Sequence, residues 1–100
     1  MDDWQLLTLM TPLELKDDVV DALIACTLIS GFNMQKIAGF SREHSQFHLR
    51  EQVEGYREFY AFEVIHQSDQ EDSLLDALRP VCESAGIRFW ITPVSSQGHL

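Results

Sequence analysis

Thr11-Pro12-Leu13-Glu14 and Ser68-Asp69-Gln70-Glu71 each set a hydroxyl residue three positions ahead of a glutamate, after a strand-like run. In such a capping box the hydroxyl accepts a hydrogen bond from a first-turn backbone N–H and the glutamate reaches back to the cap, so each tetrad predicts a helix start. Pro12 at the first helical position adds a preset φ and gives up no hydrogen bond there. After the first tetrad, Val19, Ala22, Leu23 and Cys26 recur at helical spacing and Gly31 offers a C-cap, which predicts a helix from about Pro12 to Ser30. After the second, Leu74, Leu78, Val81, Cys82 and Ala85 repeat in the same way, with Gly86 closing the helix. Pro80 inside this second pattern removes a backbone donor and predicts a bend or a shortened helix.

Four strand-like runs surround the helices: Trp4 to Met10, Met34 to Phe40, Tyr56 to Ile65 and Ile87 to Val94. The order is βαββαβ, an α+β, ferredoxin-like arrangement in which two helices cover one face of a four-stranded antiparallel sheet. One hundred residues with 45% apolar content make one domain, residues 1–100, able to close a core without disulfide or metal staples. The first strand alternates Trp4, Leu6 and Met10 against Leu7 and Leu9, and the third alternates Tyr60, Phe62 and Val64 against Phe59, Ala61 and Ile65. Both faces are therefore apolar. Helices cover one of them, so the other predicts an oligomer that buries it.

Sixteen acidic residues against seven Lys and Arg give a formal charge of −9, which repels phosphate backbones and anionic membranes. Nucleic acid is not an expected partner. The acidic start Met1-Asp2-Asp3-Trp4 lacks the basic character of a secretory signal, and no apolar run approaches the roughly 18 residues of a membrane span. The expectation is a cytoplasmic protein without membrane insertion. Cys26 and Cys82 fall on apolar helix faces and read as reduced, packed thiols rather than as a disulfide or a CxxC metal site.

Between the second and third strands lies a polar stretch, Ser41 to Gly55, that contains His44, His48, Arg50, Glu51 and Gln52. Together with a Gly-Phe pair ending the second strand, the run His48-Leu49-Arg50-Glu51-Gln52-Val53-Glu54-Gly55 and the terminal Trp90, Pro93-Val94 and Gly98 resemble a bacterial domain family of unknown function in the PII-like superfamily. Members of that family are often encoded beside heavy-metal efflux systems. The resemblance spans nearly the whole chain. It implies a homotrimer of ferredoxin-like subunits, a ligand site at the subunit clefts, and an effector loop, here Ser41 to Gly55, that docks on a protein partner. The efflux association makes a membrane transporter one such partner. Nitrogen-signalling PII proteins hold nucleotide phosphates with a TGxxGDGK segment before the last strand. Here that connection is Glu83-Ser84-Ala85-Gly86-Ile87-Arg88, with no lysine and one glycine, which argues against ATP binding in the usual PII manner. No tyrosine lies between Ser41 and Gly55, so the uridylylation known in the superfamily has no obvious acceptor.

Glu51, Gln52 and Gly55 carry the family likeness and read equally as ligand- or partner-binding residues and as loop-root caps. Arg57 reads as the partner of a nearby carboxylate, with an anion site as the sharper alternative. His44 and His48, four residues apart, share a face if that part of the loop is helical and could hold a divalent or soft metal, with Glu43, Glu51, His66, His99 or a neighbouring subunit completing the set. Solvated loop histidines are the plainer reading. Trp90 reads as core or interface. No nucleophile elbow, zincin motif or phosphate-cradling loop is present, so the expectation is a regulatory binding protein rather than an enzyme. The alternative is a metal-binding accessory protein of heavy-metal tolerance.

Overall fold

A computed structural model describes residues 3–40 and 56–100. Strand β1 (Trp4–Pro12) leads through a 3-10 turn at Leu13–Leu15 into helix α1 (Lys16–Ala25), followed by β2 (Asn33–Gly39) and β3 (Arg57–Gln67). A second 3-10 turn, Ser68–Gln70, opens helix α2 (Glu71–Cys82), and β4 (Arg88–Val94) completes the sheet. The strands lie in the order β2-β3-β1-β4, with each neighbouring pair antiparallel. This is the expected βαββαβ fold.

Register divides the side chains cleanly. Leu7 pairs with Val64 and Ile91, and Leu9 with Phe62 and Phe89, on the face that meets the helices. There Leu7, Leu9, Phe62 and Val64 form one buried core with Val19 and Leu23 of α1 and Leu74 and Leu78 of α2. Each such side chain contributes about 1.5–3 kcal/mol by leaving water, so this layer holds the helices to the sheet. The opposite face carries Trp4, Leu6, Met10, Phe59, Ile65 and Trp90. Ile65 and Trp90 remain 40% and 41% exposed there, which is what an unshared sheet face looks like.

Both helices begin later than their capping boxes predict. Thr11 and Pro12 stay in β1, paired with Tyr60 and Phe59, and Thr11 is fully buried with no partner for its hydroxyl. The sheet ladder outcompetes the local cap, and α1 starts at Lys16 without a side-chain cap bond. Ser68 likewise sits within its 3-10 turn, its backbone N–H donating to Asp3 O at 2.8 Å. Helix α1 ends at Ala25 rather than Ser30, because Cys26 turns extended at ψ 110° well before Gly31. Gly86 does close its helix as expected, at φ 59°, the left-handed region glycine enters without strain. Pro80 does not interrupt α2, which continues to Cys82; the proline stands in the final turn, and the bond it removes is the one its N–H would have donated to the Asp76 carbonyl.

The antiparallel strand directions set α1 and α2 in opposite senses. Cys26 therefore closes α1 near one end of the sheet and Cys82 closes α2 near the other. Both are half-buried and free, in keeping with packed thiols.

Candidate functional site

The end of the sheet from which residues 41–55 depart carries a cavity of about 270 Å³. Gly39 and Phe40 from the end of β2, Arg57 and Phe59 from the start of β3, Met10 and Pro12 from the end of β1, and Ala85 to Arg88 from the α2–β4 connection line it. Four segments distant in sequence meet here because Gly39 pairs with Arg57, Pro12 with Phe59, and Met10 with Arg88. Those pairs all belong to the sheet face that the helices leave uncovered.

Aromatic contacts fix the cavity walls. The Phe40 and Tyr56 rings, which flank segment 41–55, lie 5.8 Å apart between centroids. The Arg57 guanidinium stands 5.1 Å over the Phe59 ring, and that of Arg88 stands 5.5 Å over the Trp90 ring. Stacking of this kind orients a guanidinium while leaving its charge in place. Arg57 also has Nη2 4.0 Å from Glu14 Oε1, the outer limit of an ion pair. Arg57 thus has a carboxylate neighbour and also lines the cavity.

The remaining expected site residues divide by position. His44, His48, Arg50, Glu51, Gln52 and Gly55 lie outside the described residues. His66 is described and is no loop-side ligand: it sits nine residues along β3 from Arg57, about 30 Å at strand rise. Its ring is 1% exposed, with Nδ1 3.0 Å from Gln67 O and Nε2 buried without a partner. His99 stands exposed in the tail beyond β4. Among the described residues no three His, Cys, Asp or Glu side chains gather as a metal site. Burial pushes the Cys82 thiol above its ordinary value, which disfavours the thiolate a metal or an electrophile would need.

Arg88 is the residue that sequence reasoning missed. The available signal was a lone basic residue between a helix-closing glycine and an aromatic strand.

A strand order of β2-β3-β1-β4, two helices on one face and a cavity between the roots of the β2–β3 connection define a PII-like ferredoxin fold. The structure of Arabidopsis thaliana PII bound to citrate aligns with 92% of this chain and 75% of its own, at 14% identity and TM-score 0.68. CutA1 from Pyrococcus horikoshii aligns with 94% of this chain and 86% of its own, at 12% identity and TM-score 0.73. The chain belongs to the DUF3240 family, described as proteins of unknown function, whose model matches residues 1–100. A DUF3240 family protein from Shewanella baltica OS155 is 42% identical over 100% of this chain and 99% of its own, with a TM-score of 0.83. No curated protein matches the chain in sequence. No helix among the described residues is long and apolar enough to cross a membrane.

Proposed function

We propose that this is a cytoplasmic, non-enzymatic regulatory protein of the PII-like kind. It assembles as a homotrimer, binds a small ligand where subunits meet, and reports occupancy to a protein partner through residues 41–55. The observation that carries this reading is the position of the cavity. It is walled by Gly39 and Phe40 on one side of segment 41–55 and by Arg57 on the other. A ligand seated there touches both roots of the segment. The cavity also opens on the face that bears Leu6, Met10, Ile65 and Trp90, so a second subunit covering that apolar surface would border the ligand.

Native mass spectrometry of the purified protein, alone and with zinc, copper, nickel or cobalt ions and adenine nucleotides added in turn, tests the reading. A trimer with one ligand per cleft supports it, and a monomer at micromolar concentration contradicts it. Metal uptake that disappears on replacing His44 and His48 with alanine would replace it with the metal-binding accessory role.

A further inference from the structure

Leu9 and Phe89 are strand partners on the sheet face that the helices cover, yet Leu9 is 3% exposed and Phe89 47%. The helix layer therefore stops short of the edge strand β4. Leu75, Leu78 and Cys82 recur at helical spacing along one side of α2, and Ile87 and Phe89 alternate at the start of β4. Between these two rows lies a groove of about 140 Å³, with Leu9 at its bottom. Arg79 and Glu83 stand at its rim.

Size and charge narrow the occupant. Sites for drug-sized molecules span roughly 300–1,000 Å³, whereas a cavity of roughly 150 Å³ accepts a benzene ring, so the groove matches one large apolar side chain. Arg79 is held by Asp76 at 3.0 Å, and among the described residues no base pairs with Glu83. Along the same helix Glu71 and Asp72 add to the acid, and α1 beside it sets Asp17, Asp18 and Asp21 against Lys16, which meets Asp17 at 3.1 Å. The helix layer is thus anionic around an apolar slot. Such a surface repels acidic proteins and anionic lipid and draws in a cationic segment.

We propose that the groove between α2 and β4 docks a basic segment of a protein partner, taking one large apolar side chain from between flanking lysines or arginines. The apolar side chain lies against Leu75 and Phe89, and a flanking base meets Glu83. Burying one anchor in a pocket supplies most of the affinity of such a contact, while the charged rim sets its specificity and its rate of encounter. The inference goes beyond the regulatory reading and does not depend on residues 41–55.

Fluorescence anisotropy of the assembled protein with a labelled short peptide, one phenylalanine between lysines, tests it. Serine in place of the phenylalanine should weaken binding at least about tenfold, the loss expected when an apolar ring is no longer buried. Glutamates in place of the lysines should abolish it. Phe89→Ser in the protein should weaken binding of the parent peptide at least about tenfold. Glu83→Lys should weaken it severalfold and flatten its decline with added salt. Glu83 is exposed, so thermal melts of Glu83→Lys should match the parent, and this variant tests the groove even where Phe89→Ser lowers the melting temperature. Equal affinity for the serine peptide would reduce the binding to charge alone and overturn the inference. Unchanged affinity in either protein variant, equal binding of the glutamate peptide, or no binding because a second copy of the chain covers the groove would each overturn it as well.

Discussion

The ring of Phe59 lies so close over Gly39 that a Cβ on the glycine would meet Cε2 at 2.7 Å and Cδ2 at 2.9 Å. Glycine at position 39 thus lets the ring lie against the backbone at the root of segment 41–55, where both residues wall the cavity. Gly39→Ala should displace the ring and cost about 1–3 kcal/mol, as overpacking does. Gly31, with nothing within 4 Å of its Cβ position and no positive φ, is the control. Gly31→Ala should change stability by no more than about 1 kcal/mol, and toward stabilisation. Thermal and chemical melts of the two variants check the contrast.

His66 is buried with an unpaired Nε2, which carries a penalty of about 1–3 kcal/mol. His66→Leu removes that penalty and the bond from Nδ1 to Gln67 O together, so urea titration should show stability within about 1 kcal/mol of the parent. Zinc or copper uptake, if the protein has any, should be unaffected by this substitution. Loss of metal binding in His66→Leu would contradict the placement of His66 as a core residue.

The fold was legible in the sequence because period carries it: two helical stretches and four strand-like runs fall in the right order. Their boundaries were less legible. Thr11 and Pro12 make a sound helix start in isolation, yet their pairing with Tyr60 and Phe59 holds them in β1, and that pairing depends on residues far along the chain. The cavity was largely invisible for the same reason. Arg57 stands in family-like surroundings, whereas Arg88 joins it at the cavity only because the sheet sets it beside Met10, a property no local motif encodes.

Cys82 sets a pH dependence. Burial raises its thiol from the ordinary value of 9.0, so above about pH 9 the unfolded chain sheds this proton while the folded chain retains it. The unfolded state then binds fewer protons, and stability falls as pH rises through that range and on to the folded value. Cys82→Ser should flatten this alkaline decline in melts between pH 8 and 10. Alkylation of Cys82 by iodoacetamide at pH 8 should also be slower than that of a free peptide thiol.

Ile65 lies on the uncovered face at the opposite end of the sheet from the cavity, 40% exposed and paired with Leu6. Ile65→Glu places a charge in any interface built on that face, where an unpaired buried carboxylate is strongly unfavourable. Light scattering coupled to size-exclusion chromatography should find the parent as a trimer and this variant as a folded monomer. An unchanged trimer would place the interface elsewhere.

The most direct test of the account is hydrogen exchange across residues 41–55 in the assembled protein, with adenine nucleotides and zinc, copper, nickel or cobalt ions added separately. The account predicts that a compound bound one per cleft slows exchange in this segment and that Arg57→Gln, at the cavity wall, weakens the effect. Exchange that no addition changes, in a protein that still binds one of them at the cavity, would contradict the coupling between cavity and segment on which the proposed function depends.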